Sequence, residues 1–333
     1  MKKSTHHHLI IVGMVLIGLM FNASAWANSM QMDALQSEWP RTDFSRATID
    51  LSEIISGGPP KDGILAIDSP LFGSVADNAH LGDKEPVITL RIAQDARAYP
   101  LRILIYHEIV NDVVAGTPVS ITYCPLCNAA LVFERSANGR TLDFGTTGKL
   151  RHSDMIMYDR QTESWWQQFT GEAIVGEMTG QKLTILPSRI ESFEQFKKKY
   201  AQGKVLIPKD PSARPYGRNP YANYDTSKYP FLLVQPYEGE VSALERVVAI
   251  GTEAWPLSLL REKREIRSGS YILRWTEGQN SALDTSNISE GRDIGNVSVF
   301  QENHEKKLQD VVYHIPFAFA FKAFHSNGTI HTK

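Results

Sequence analysis

Residues 109–127 read IVNDVVAGTPVSITYCPLC, and this stretch decides how the chain should fold. Two runs rich in β-branched residues, Ile109–Val114 and residues 119–123, flank Ala115-Gly116-Thr117-Pro118, which predicts a hairpin with a four-residue loop. The second run ends at Cys124-Pro125-Leu126-Cys127, where Pro125 has no N–H to offer a neighbouring strand and so helps to end it. Both sulfurs are therefore expected at a strand-to-turn junction. With Val114 opposite Val119, His107 falls opposite Leu126 and Ile109 opposite Cys124. Residues two apart on a strand share a face, so His107 is expected on the same side as Cys124, within reach of the cysteine turn, with Glu108 pointing away.

Working outward, residues 87–92 read as a strand, followed by a turn at Gln94-Asp95 and a short helix opened by Pro100. Leu131-Val132-Phe133 and Thr141-Leu142-Asp143-Phe144 flank Ser136-Ala137-Asn138-Gly139, and residues 155–158 and 173–175 read as further strands. Ser192-Phe193-Glu194-Gln195 is a capping-box pattern opening a helix with Phe193, Phe196 and Tyr200 at helical spacing. Residues 208–236 hold six prolines and read as a linker over the surface. Beyond it Ala254-Trp255-Pro256-Leu257 answers Ala98-Tyr99-Pro100-Leu101, residues 299–302 answer 132–135, and Phe317, Ala320 and Phe324 repeat the spacing of the first helix. Thr276 then falls where Cys124 stood. The expected fold is α+β: mostly antiparallel sheets with helices at their edges, built from two degenerate repeats of one unit. The boundaries are 1–27 for a signal peptide, 28–62 for an N-terminal segment, 63–207 for the first repeat with the C-x-x-C site, 208–240 for the Pro/Tyr-rich linker and 241–333 for the second repeat.

The leader is read from Lys2 and Lys3, the apolar run from Leu9 to Phe21, and Ala25-Trp26-Ala27, a small-x-small cleavage pattern. The run is shorter than the roughly 20 residues a spanning helix needs, so a soluble periplasmic or secreted protein cut after Ala27 is expected, with no membrane span. Without Lys2 and Lys3 the 35 basic residues become 33 against 37 acidic, a mildly acidic balance that excludes nucleic acid as the expected partner. Cysteines number only two, Cys124 and Cys127. An exported protein stabilised by disulfides would carry several spaced pairs, so these two either close a short inert disulfide or have a chemical task.

The chain resembles the bacterial domain-of-unknown-function family 3179 (DUF3179) through Tyr99-Pro100-Leu101-Arg102, His107-Glu108-Ile109-Val110-Asn111-Asp112, Thr122-Tyr123-Cys124-Pro125-Leu126-Cys127 and Met157-Tyr158-Asp159-Arg160-Gln161-Thr162-Glu163-Ser164. That pattern leads one to expect asparagine or a similar residue where this chain has His152. A fainter resemblance runs from Gly176-Glu177-Met178 through Leu183-Thr184-Ile185-Leu186-Pro187, residues 193–200 and Gly203-Lys204-Val205-Leu206. It is similar to the closing strand-helix-strand of the nitrous-oxide reductase copper chaperone and of organomercurial lyase. Both handle soft metals with sulfur ligands, and the likeness implies a soft-metal role here.

Two readings of the site follow. In the first, Cys124, Cys127 and His107 bind a soft metal ion such as Cu(I), or Zn(II), in an accessory protein that could serve a periplasmic protein partner. In the second, Cys124 or Cys127 is a catalytic thiol with His107 as base, acting on a small thiol-reactive substrate by thiol-disulfide exchange or lyase or transfer chemistry. The residues do not choose between them, so enzymatic activity is left open. Asp154, Asp159, Arg160 and Glu163, with Trp165-Trp166, read either as a polar pocket beside the cysteines or as a tight turn with Asp159 bonded to backbone.

Overall fold

A computed structural model describes residues 32–333. The expected signal peptide, residues 1–27, lies outside the described residues.

Turn chemistry dictates the hairpins. Ala115 and Gly116 both have positive φ, 48° and 84°, the two-residue turn whose twist suits paired antiparallel strands. Val114 consequently lies opposite Thr117, and Thr117 and Pro118 belong to the strand Thr117–Cys124. The expected four-residue loop is thus corrected to a two-residue turn, and the register moves with it: Ile109 faces Thr122, not Cys124. A further two-residue turn, His152-Ser153, joins Arg151 to its partner Asp154 with φ of 53° and 62°. Asparagine tolerates that left-handed backbone best and histidine adopts it more readily than most, which explains the expectation of asparagine at 152.

The strands gather into five main sheets arranged as the blades of a five-bladed β-propeller. The cysteine sheet holds Ile109–Val114, Thr117–Cys124, Ala129–Glu134 and Thr184–Leu186. A second is built on Phe144–Arg151, Asp154–Asp159 and Trp165–Gln167, with Ile54–Ser56 and Glu172–Val175 at its edges. The third combines Pro86–Ile92 and Asp95–Pro100 with Leu71–Ser74, Ser188–Ser192 and Lys204–Ile207. Two more, on Val247–Ile250 with Glu253–Pro256 and on Tyr271–Thr276 with Asn296–Glu302, carry the later part of the chain.

This architecture overturns the α+β expectation of two repeats with edge helices. The helices Leu101–His107, Phe193–Lys199, Leu257–Lys263 and Ala318–Phe324 are seven residues each, about 10 Å long, too short to cover a sheet. Sheet faces are instead covered by other sheets, so β-on-β packing sets the fold. The apolar core joins Ile121, Tyr123 and Phe133 of the cysteine sheet to Met155, Met157 and Trp166 of its neighbour and to Leu283, Phe317 and Phe319 of the later chain. At about 1.5–3 kcal/mol for each large side chain buried, Phe317 and Phe319 help to hold the later chain over the cysteine sheet. No helix among the described residues is long and apolar enough to cross a membrane.

Candidate metal centre

Cys124 closes its strand opposite Ala129, and Pro125-Leu126-Cys127-Asn128 make the turn between them. Asn128 sits at φ 50° and returns its N–H to Pro125 O at 3.2 Å, which seals the turn. Distant segments hold its outer side. Tyr224 Oη donates to Leu126 O at 2.8 Å, Phe317 N donates to Cys127 O at 2.9 Å, and Asn128 Nδ2 donates to Ile315 O at 2.6 Å. The loop is therefore clamped by chain from far along the sequence, and both thiols are shut in: Cys124 is 2% exposed and Cys127 fully buried.

The thiols point at the neighbouring sheet. Cys124 Sγ lies 3.7 Å from Ser153 O and Cys127 Sγ 4.0 Å from His152 O, so the two-residue turn caps the sulfurs with its carbonyls. The next residue, Asp154, is the third member of the site. Its Oδ2 accepts from Gln167 Nε2 at 2.7 Å and from Phe169 N at 2.9 Å, while buried Oδ1 has no nitrogen or oxygen donor among the described residues and the carboxylate is left with the weak S–H donors of Cys124 and Cys127. The two sulfurs and a carboxylate oxygen of Asp154 lie within 4.8 Å of one another.

Electrostatically the site is short of positive charge. Three other buried acids face cations: Asp112 meets Arg97 at 2.6 Å, Glu85 meets Arg102 at 2.7 Å and Asp225 meets Arg246 at 2.9 Å. Asp154 and Glu108 have no such ion pair among the described residues. Burial accordingly pushes the Asp154 carboxyl up from 3.8 to about 7, against the pull of its hydrogen bonds. Burial, with Asp154 nearby, pushes Glu108 from 4.5 to about 8. Both thiols are raised, first by burial, with Asp154 adding to each. Glu108 was expected to point away; it is instead a buried acid close enough to raise the Cys124 thiol. It ends the helix Leu101–His107 at φ 58°, a turn that the run of β-branched residues beside it does not announce.

His107 does not stand on a strand opposite the turn. It is the last residue of a helix, its Nδ1 lies 2.7 Å from Leu65 O and its Nε2 2.8 Å from Tyr216 Oη. The group of ligand atoms that gathers among the described residues is Cys124, Cys127 and Asp154, without it. Asp159 serves the turn: Oδ1 accepts from Thr162 N at 2.7 Å and Oδ2 from the buried Trp166 Nε1 at 2.9 Å. Asp154 carries a faint signal in the sequence, an acid that opens the apolar strand directly after the His152-Ser153 turn.

Residues 61–328 match the family described as Protein of unknown function (DUF3179). No curated protein and no solved structure matches the chain.

Proposed function

We propose that this chain, which belongs to the DUF3179 family, binds a thiophilic metal ion through Cys124, Cys127 and Asp154. The observation that carries the reading is a buried carboxylate oxygen with no nitrogen or oxygen donor among the described residues, facing two buried thiols and with no cationic side chain paired to it. A metal ion supplies the missing positive charge and takes the protons' place on all three groups. Thiolate donors suit Cu(I) and Zn(II), and the carboxylate adds a harder oxygen that a divalent ion uses better. Donors around a tetrahedral ion with bonds of about 2.3 Å stand about 3.7 Å apart, so gathering them from 4.8 Å needs only small side-chain motion.

The thiol-enzyme reading draws on the Asp154 carboxyl near 7, which could pass a proton at neutral pH. Against it, a catalytic thiol needs a lowered pKa, and burial raises both here. In the proposed role the protein is exported and acts as a metal-binding accessory, with His107 bracing the fold outside the ligand set.

Protein purified without oxygen should carry, or take up from a buffered chelator, one Zn(II) or Cu(I) per chain. Cys124→Ser with Cys127→Ser should abolish the uptake. A metal-free protein whose affinity equals that of the double variant would end this reading, and one acidic, fast-alkylating thiol would favour the enzyme.

A further inference from the structure

The proposed ligands are closed off from solvent, so an incoming ion must pass a wall. Phe169 is the residue that joins the ligand set to the surface. Its backbone N donates to Asp154 Oδ2 at 2.9 Å, and its ring, 2% exposed, packs among aromatic side chains. There it stacks on Phe324 with centroids 4.6 Å apart, meets His314 edge-on at 4.8 Å and lies 6.0 Å from His325. His152, whose carbonyl caps Cys127, touches the other side of Phe324 at 5.5 Å. Three imidazoles from three separate segments thus surround one aromatic pair beside the thiols.

Their hydrogen bonding distinguishes them from His107. The His314 backbone is tied to Ala249 by N–H and C=O, at 3.1 and 2.9 Å, yet its buried ring nitrogen Nδ1 has no partner among the described residues. His325 caps the helix Ala318–Phe324 through its backbone and remains partly exposed. Burial lowers the pKa of the His314 ring to about 3 and lowers that of His325 as well, which favours the neutral imidazole that can offer a lone pair to a cation.

Resting on the metal-binding reading, we infer that His314 and His325 form an outer, transient site that captures the metal ion and passes it around Phe169 to Cys124, Cys127 and Asp154. Imidazole binds the same borderline and soft ions as thiolate but holds them less tightly, as a transfer site requires. In each exchange step one imidazole–metal bond breaks as one sulfur–metal bond forms, and the thiol proton leaves for water.

Stopped-flow loading of the whole reduced chain from a chromophoric zinc chelator tests this. A His314→Asn, His325→Asn variant should load at least tenfold more slowly while ending at the same one zinc per chain. An unchanged rate would overturn the transfer site and leave the metal-binding reading standing. Wild type that takes up no more zinc and no more Cu(I) than Cys124→Ser, Cys127→Ser would overturn both. Because the histidine variant could fold poorly, Co(II) added in less than equimolar amount to the cysteine double variant gives a second measurement. The imidazole resonances of His314 and His325 should broaden before those of the exposed His80 and His304, whereas broadening of the exposed pair first would refute the proposal.

Discussion

Replacing Asp154 by asparagine should make the metal-free protein more stable at alkaline pH. The carboxyl titrates at about 7 in the fold against 3.8 unperturbed. Below pH 3.8 it is protonated whether the chain is folded or not, so it contributes no difference there. Between the two values only the folded chain keeps the proton, and stability falls as pH rises; above 7 the loss is complete. At 1.36 kcal/mol per pH unit the full loss is about 4 kcal/mol, of which about 3 kcal/mol falls between pH 5 and 8. The asparagine side chain has no such proton to lose. Its oxygen can accept from Gln167 and Phe169 as Oδ2 does now, and its amide faces the thiols, so few hydrogen bonds are forfeited. Urea unfolding with chelator and reductant at pH 5, 6.5 and 8 measures the effect, and comparing the two chains cancels most of the slope that Glu108 contributes. Added zinc should reverse the order, stabilising wild type more than the variant. Parallel pH profiles for the two chains, or a variant weaker than wild type at pH 8 without metal, would show that Asp154 is not an uncompensated buried acid.

Asp159→Ala should cost about 3 kcal/mol of stability, because it strands the Trp166 indole N–H and the Thr162 N–H inside the protein; thermal or urea unfolding reads it, and a loss below about 1 kcal/mol would mean the turn repairs itself. His107→Ala should cost about 1–2 kcal/mol through its bonds to Leu65 and Tyr216 and leave zinc affinity unchanged, whereas a tenfold weaker affinity would return His107 to the site.

The cysteine hairpin was legible because its causes are local. Alternating β-rich residues on either side of Ala115-Gly116, and Pro125 after Cys124, announce strand, turn and strand end without reference to the rest of the chain. The capping box at Ser192 is local in the same way, its hydroxyl accepting from Gln195 N. Register was less secure. A two-residue turn and a four-residue loop draw on the same four amino acids, and the choice moved every pairing by two positions and took His107 off the strand.

The sequence by itself determined that the two sulfurs sit close together at the end of a strand, since only two residues lie between them and Pro125 ends the strand and starts the turn. Only the tertiary structure decided what they face. Asp154 comes from the hairpin of a neighbouring sheet, and the turn is clamped by Tyr224, Ile315 and Phe317 from much later in the chain. Hairpin pairing is set by neighbours in sequence, but how five sheets cover one another is set by which apolar faces meet. That packing buries Asp154 beside the thiols and raises its pKa.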